Sequence, residues 1–422
     1  MRKFILILFL GSGFILLHLP VVQASEVDML VEKLVEKKIL GREEADVLLK
    51  EMRKEVEKEK AEAVQEVKDA ITQGKTGIKL VALPEWVEKT KLSGDFRLRY
   101  ETKEREGLRD RHRGRYRLRV GLETEIADKI KVAFGIASGS NDPRSTNQSF
   151  TNSFEHPDIR LDYAYAEYTP FKWAKLIGGK IKQPLWEPAD LLWDTDIRPE
   201  GGAAQLNWQL HPHFNVFFTT GLFVLDERSD DTQDPIMFAT QPGFNWKMSE
   251  KINLKTAAAF YGFNNIQKTT LDHSSETNTL EDGGLKYDYD AINIATELGI
   301  KNLFATPLPY AALFGEYLQN YDPAKDNEGF LMGWKLGHEK VKEKGQWQVS
   351  YMYRRMERDA WPDIFPDSDF YEGETNVRGH EGIIKYGLNK NVAFVLDYYH
   401  SENIRGKRHT ENLLQVDMEF NF

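Results

Sequence analysis

The stretch Leu92-Ser93-Gly94-Asp95-Phe96-Arg97-Leu98-Arg99-Tyr100-Glu101 changes polarity at almost every residue. Leu92, Gly94, Phe96, Leu98 and Tyr100 fall on one side of an extended chain. Ser93, Asp95, Arg97, Arg99 and Glu101 fall on the other, because successive side chains of a strand point to opposite faces. The next run sets Tyr116, Leu118, Val120, Leu122 and Ile126 against Arg115, Arg117, Arg119, Glu123 and Glu125. The last residues set Leu414, Val416, Met418, Phe420 and Phe422 against Gln415, Asp417, Glu419 and Asn421. Each run reads as a strand with one apolar and one polar face.

Working outward with the same rule, the sequence predicts sixteen strands, near residues 91–101, 113–126, 130–139, 159–168, 174–182, 201–210, 214–224, 237–247, 252–262, 286–300, 309–320, 328–340, 346–357, 380–388, 392–400 and 412–422. Their connections alternate in length. Short turns at 127–129, 169–173, 211–213, 248–251, 341–345 and 389–391 take turns with long polar loops such as 140–158, 183–200, 263–285 and 358–379. A soluble sandwich or propeller has no reason to put short turns at one end and long loops at the other. A transmembrane antiparallel β-barrel does. Runs of roughly nine to eleven residues also suit a tilted strand crossing the hydrocarbon layer. Tyr100, Tyr116, Tyr168, Trp173, Trp208, Trp246, Tyr261, Tyr310, Trp347 and Tyr398 stand near strand ends, where amphipathic rings favour a membrane interface.

The polarity of the alternation orients the strands. A charged side chain facing lipid at mid-depth costs roughly 2–4 kcal/mol, so the charged face points inward and the lumen holds water. Sixteen strands make a barrel wide enough for an aqueous channel. One run, Ile159 to Tyr168, does not separate into two faces.

The whole-chain totals conceal all this. The chain has 422 residues, 41% hydrophobic, 29% charged and 12% aromatic, with no cysteine and a net charge of −10. Its mean hydropathy is −0.53, the average of a lipid face and a water face. The aromatic content excludes disorder. The only apolar run long enough to span a bilayer lies at the N-terminus, which excludes a polytopic helical membrane protein. Without cysteine there is no disulfide scaffold, zinc cluster or thiol nucleophile. The acidic balance argues against a nucleic-acid partner. His211, His213, His380, His400 and His409 lack ligand spacing. Asp367, Asp369 and Glu372 echo a calcium loop, but Tyr371 and the missing turn glycine break the pattern. No phosphate-binding glycine loop or nucleophile elbow is present. No enzymatic site, metal or cofactor is expected.

The N-terminus is an address. Arg2 and Lys3 precede an apolar stretch from Phe4 to Leu19, and Val22-Gln23-Ala24 offers a cleavage site, so residues 1–24 read as a secretory signal peptide. Its removal takes away Arg2 and Lys3 and moves the net charge from −10 to −12. Residues 25–86 follow as a periplasmic helical segment and linker, and 87–422 as the barrel. From Val27 to Ile71 there is no proline; Leu30, Leu34 and Val35 recur at helical spacing, Gly41 marks a stop, and Val47, Leu48, Met52 and Val56 continue the pattern. A weak coiled coil and a solvated helical spacer both fit.

The order of these features resembles the porins of Gram-negative outer membranes, distantly like the phosphate-selective and general porins. The resemblance runs from the signal peptide through the Leu30 to Leu49 helical pair and the first strand at Leu92 to Tyr100. It continues through Leu161-Asp162-Tyr163-Ala164-Tyr165 and the stretch from Leu192-Trp193-Asp194-Thr195-Asp196 to Glu200-Gly201-Gly202. It ends at terminal Phe422, similar to the signal that the outer-membrane assembly machinery reads. The resemblance implies a passive diffusion channel for small hydrophilic solutes or ions, set in outer-membrane lipid and often a homotrimer.

The candidate site is charged. Arg97, Arg99, Arg113, Arg115, Arg117 and Arg119 occupy inward positions of two neighbouring strands. Guanidinium forks on one wall could line a pore for anions; equally, they could pair with nearby carboxylates and stabilise the wall. The loop 183–200 carries Glu187, Asp190, Asp194, Asp196 and Glu200 with Trp186, Leu191, Leu192 and Trp193 as apolar anchors. It either folds into the lumen as a constriction, setting acids against the arginines, or lies on the surface. The expected function is an outer-membrane porin with a possible anion preference. The alternative is a structural protein whose N-terminal helix contacts the cell wall, and an outer-membrane enzyme such as a lipase comes third.

Overall fold

The computed structural model describes residues 6–10, 13–17, 41, 45, 50, 85–229, 233–303 and 308–422. The chain divides into two compact units, Met1–Leu83 and Pro84–Phe422. In the first, Leu6–Leu10 pairs antiparallel with Gly13–Leu17. Ala45 and Lys50 are helical, and the Ala45 N–H donates to the Gly41 carbonyl at 2.9 Å. The signal-peptide junction and the rest of the expected helical stretch lie outside the described residues.

The second unit opens with one helical turn, Glu85–Glu88, and continues as sixteen long strands. These are β1 (Lys91–Arg105), β2 (Arg111–Ala127), β3 (Ile130–Ala137), β4 (Arg160–Phe171), β5 (Ala174–Lys180), β6 (Glu200–His211), β7 (Phe214–Val224) and β8 (Ile236–Lys247). They continue as β9 (Ile252–Asn264), β10 (Ala291–Lys301), β11 (Tyr310–Asn320), β12 (Glu328–Gly337), β13 (Trp347–Met356), β14 (Val377–Asn389), β15 (Val392–Asn403) and β16 (Thr410–Asn421). Each pairs antiparallel with its sequence neighbours, and β16 returns to pair with β1, closing the barrel. The closure ends in a reciprocal pair of bonds: Gly94 N–H to the Phe422 carbonyl at 2.8 Å, and Phe422 N–H to the Gly94 carbonyl at 3.0 Å. A two-residue strand, Gln148–Ser149, extends the sheet beside β2.

All sixteen expected strands are present, with ends displaced by a few residues. The largest displacement is at β10, which begins at Ala291 because 286–290 stays in the preceding loop. There Tyr289 is fully buried and the Asp290 carboxylate accepts the Phe263 N–H at 2.8 Å.

The ambiguous run at Ile159 to Tyr168 contains a bulge. Pairing with β3 shifts between Gly135↔Tyr163 and Ile136↔Leu161, so Asp162 is the extra residue. Asp162 and Tyr163 therefore both turn inward, while Leu161 and Tyr168 stay exposed outside. Alternation breaks at the bulge, which is why neither face could be read off the sequence.

Outward positions carry an exposed apolar band that includes Leu98, Leu118, Phe134, Leu176, Leu222, Phe260, Ile294, Leu313, Met332 and Ile384. A soluble surface rarely presents a continuous apolar belt of this kind. Trp173 stacks on Phe171 and on Trp208 at the short-turn end, with ring centroids 5.1 and 5.8 Å apart. Tyr261 and Tyr310 depart from the expected interfacial role: both are buried on the inner side.

The interior corrects a second expectation. The inner face is charged on β1, β2 and β16, but the long-loop half of β7 to β9 turns Phe223, Met237, Ala239, Ala257, Ala259, Tyr261 and Phe263 inward, all buried, beside the buried polar Thr219 and Gln241. Three long loops pack against that apolar half. Leu191, Leu192 and Trp193 come from loop 181–199, Ile266 and Tyr289 from loop 265–290, and Trp361, Phe365 and Phe370 from loop 357–376. Trp193 lies 4.5 Å from Phe365, and Tyr261 4.8 Å from Trp361, between ring centroids. These loops thus form a plug inside the barrel with an apolar centre.

The outward assignment is testable at Ile294 in the middle of β10. Ile294→Arg is expected to cost about 2–4 kcal/mol, measured as a lowered urea midpoint for barrels refolded into lipid vesicles.

Candidate functional site

The arginines face one another. Across β1 and β2, Arg97 lies opposite Arg117 and Arg99 opposite Arg115, an arrangement that is destabilising unless countercharge intervenes. The countercharge comes from three directions. From β16, Asp417 receives Arg99 Nε and Nη2, both at 2.8 Å, as a bidentate fork. From the same two strands, Glu101 holds Arg113 and Arg115, the latter at 3.1 Å, and Asp95 holds Arg117 and Arg119 at 2.8 Å each. From the loops, Asp369 accepts Arg99 Nη1 and Asp196 accepts Arg119 Nη1, both at 2.9 Å. Arg97 donates to the Asn147 side chain at 2.6 Å and lies 3.5 Å from Asp417. Side-chain exposure runs from 4% for Arg99 to 25% for Arg119.

Loop 181–199 crosses the interior. Trp186 and Gln241 of β8 exchange two hydrogen bonds, 2.8 and 2.9 Å. Lys335 of β12 donates to the Pro188 carbonyl at 3.1 Å, and Arg354 of β13 meets Asp190 at 2.7 Å. The loop then returns to β2 through Asp196 and to β4 through Arg198, which lies 3.2 Å from Asp162. Trp361 Nε1 donates to the Leu192 carbonyl at 3.0 Å, tying this loop to loop 357–376. Thr277 and Thr279 of loop 265–290 donate backbone N–H bonds of 2.7 Å to Asp363 and Asp359. Arg144 of loop 138–159 donates to the Asp363 and His273 carbonyls at 3.0 Å each. Four loops are one hydrogen-bonded body.

The five acids expected in loop 183–200 separate. Only Asp196 reaches an arginine of the wall; it also accepts Thr146 N–H at 3.0 Å and Thr146 Oγ1 at 2.9 Å. Asp190 joins Asp367 and Glu381 around Arg354 of β13. Asp194 accepts the backbone N–H groups of Asp196 and Ser368, both at 2.9 Å. Glu187 lies against Tyr261 and Glu316, and burial together with that second carboxylate pushes it well up. Glu200 does not belong to the set: it opens β6 on the outward face and pairs with Lys180 at 2.6 Å. Phe422 stands at the barrel seam against Gly94, where a Cβ would meet its ring at 2.6 Å.

Two cavities flank loop 181–199 toward the short-turn end. One, about 600 Å³, is lined by Arg97, Arg117, Arg119, Lys182 and Arg198 against Asp95, Asp162 and Glu419. The other, about 420 Å³, includes Lys172, Lys175 and Lys255 among its lining residues and no carboxylate. Lys255 Nζ sits 4.2 Å over the Trp186 ring, a cation–π contact. In a chain of net charge −10, the linings of these two cavities carry more arginine and lysine than carboxylate.

A family model described as "Putative porin" matches residues 104–297 and 284–422. The chain belongs to this porin family. No curated protein matches the sequence. OprB of Pseudomonas putida, in a high-pH structure, is similar with a TM-score of 0.53 at 10% identity, over 80% of this chain and 96% of that one. The outer membrane channel DcaP of Acinetobacter baumannii gives 0.44 at 13% identity, over 79% and 97%. A Rh. blastica porin mutant gives 0.44 at 11%, over 79% and 100%. Identities this low speak to the fold, and the OprB match supports it. As a porin, the chain is a passive channel protein and not an enzyme.

In this porin, sequence reading found the arginines, the acids Asp95 and Glu101 on the same inward face, and Asp196 in the loop opposite them. Asp417 was legible, since it lies on the polar side of the terminal run. Asp369, Arg354, Lys182 and Lys255 were not, because loop folding and cross-barrel contacts leave no local pattern. The plug has one faint trace: Ala257-Ala258-Ala259-Phe260-Tyr261-Gly262-Phe263 has no polar face at all.

Two outcomes follow for the loop body. Trp361 is fully buried in it, so Trp361→Ala is expected to cost about 3–5 kcal/mol of loop packing and to raise single-channel conductance with the barrel intact. Burial and Asp196 raise Asp194 from 3.8 to about 8. Despite burial, Arg99, Arg97 and Arg115 draw Asp369 down from 3.8 to about 2. The Asp194 contribution is full below 3.8 and lost as pH rises to about 8; the Asp369 contribution is full above 3.8 and lost as pH falls to about 2. Tryptic cleavage after Arg358 is therefore expected to be slower at pH 5 than at pH 9, after correction for the protease's own pH dependence.

Proposed function

We propose that this chain is a passive diffusion channel of a Gram-negative outer membrane that prefers small hydrophilic anions. The supporting observation is the sign of the cavity walls: eight arginine or lysine side chains line the two spaces beside loop 181–199, against three carboxylates. Fixed charge in a narrow low-dielectric passage sets the local concentration of permeant ions, whatever the net charge of the whole protein. In this reading the plug fills the β7 to β13 side and solutes pass beside the arginine-bearing wall of β1 and β2. The short turns and the helical segment face the periplasm, the long loops face outside, and the working unit is a homotrimer.

The apolar plug favours a second reading, a structural barrel whose lumen is filled and whose helical segment reaches the cell wall. Conductance in planar bilayers separates the two. Arg119 and Lys255 each line one cavity, so the double variant Arg119→Gln, Lys255→Gln is expected to lower the anion-to-cation permeability ratio roughly threefold. A ratio unchanged from wild type would remove these cations from selectivity, and a silent barrel would favour the structural reading.

A further inference from the structure

Strand pairing brings together two histidines that the chain keeps apart. His380 of β14 lies directly opposite His400 of β15. Both side chains are exposed on the outward face, three residues from the long-loop ends of their strands at Val377 and Asn403. At that height amphipathic rings meet the membrane interface, where water reaches them. The two rings stack with centroids 6.4 Å apart and planes at 23°, and the Tyr353 ring lies 5.1 Å from that of His380.

Each imidazole is held from outside the pair. His380 Nδ1 bonds to the Tyr351 hydroxyl of β13 at 2.6 Å, and His400 Nδ1 to the Asn412 side-chain oxygen of β16 at 2.8 Å. Tyr398 Oη donates to the same Asn412 oxygen at 2.9 Å, so that oxygen is an acceptor and His400 carries its proton on Nδ1. The lone pair of His400 is then on Nε2. The Tyr351 hydroxyl accepts as readily as it donates, so His380 can hold the same tautomer. An interfacial aromatic belt needs only rings. It does not need two of them opposed, with each Nδ1 drawn toward a flanking strand and each Nε2 left over. Metal-binding histidines are prepared in this way, the second ring nitrogen donating to an oxygen that fixes orientation and tautomer. Directly opposed residues have Cβ atoms about 4.5–5.5 Å apart. From that base two imidazoles reach one ion, at about 2.0–2.1 Å from each nitrogen, by small side-chain rotations.

We propose that His380 and His400 form a two-imidazole site for a divalent transition-metal ion, copper or zinc, that clips β14 to β15 at the long-loop end. Imidazole nitrogen suits these ions over magnesium and calcium, and copper binds most tightly among them. Water fills the remaining coordination positions. The site lies on the outer flank of the barrel and is independent of what passes through the lumen.

Titration of the full chain in detergent with Cu²⁺, read by electron paramagnetic resonance, tests it. The expected spectrum shows an ion held by two nitrogens, displaced by excess Zn²⁺ but not by Mg²⁺. His380→Gln and His400→Gln are each expected to weaken binding at least about tenfold, and Asn412→Leu about tenfold with the two-nitrogen spectrum retained, as loss of an outer partner does. Sheet circular dichroism checks that each variant keeps the barrel. The double variant His211→Asn, His213→Asn removes the other close histidine pair, 5.5 Å between ring centroids at the β6–β7 turn, and is expected to bind as wild type. A spectrum without two nitrogens, an affinity unchanged in either His380→Gln or His400→Gln, displacement by Mg²⁺, or a loss that follows the turn variant instead would each overturn the site. None of these would touch the channel reading, which stands or falls on ion selectivity in bilayers.

Discussion

A chain that crosses hydrocarbon has to pair every backbone N–H and C=O within itself, and a sheet does that only by closing. In this protein the closure is the β16 to β1 seam, finished by the two bonds between Gly94 and Phe422. The alternating faces, the inward charge and the long loops at one end depend on it. Once the barrel is closed, every second residue must suit lipid, and the remaining half is free to be polar, charged or, as from Ala257 to Phe263 of β9, apolar for a different reason.

That freedom is used unevenly. On the β1, β2 and β16 wall, arginines stand opposite arginines and are tolerated because Asp95, Glu101 and Asp417 share them and Asp196 and Asp369 descend from the loops. Asp196 and Asp369 each serve two purposes, neutralising a wall charge and fixing a loop. On β13, Arg354 draws Asp190, Asp367 and Glu381 together, so one cation ties both loops 181–199 and 357–376 to the barrel, beside the anchors through Arg99 and Arg119. Removing one member of such a buried group leaves charges without partners, which is far more damaging than losing a surface pair. The loops are therefore part of the lumen wall and not an ornament above it.

The fold was legible because period-two patterning is local: Leu92 to Glu101 announces its faces without knowledge of any neighbour. The bulge at Asp162 was not, since one inserted residue erases the alternation that carries the signal. The inward orientation of the six arginines followed from the cost of charge in lipid. Their pairing with the loops did not, because Asp196 and Asp369 meet Arg119 and Arg99 across 77 and 270 residues of chain. The apolar interior was hidden by the same assumption that revealed the rest. A strand such as Ala257 to Phe263 is apolar on both faces, one turned to lipid and the other to Trp361 and its neighbours.

The central claim is that the open interior is cationic although the chain is acidic. The reversal potential of the full-length wild-type protein in a planar bilayer, under a KCl gradient, measures this directly. The sign expected is that of a channel passing chloride more readily than potassium. A potential of the opposite sign would show that the chain's overall negative charge governs permeation, and would contradict the account.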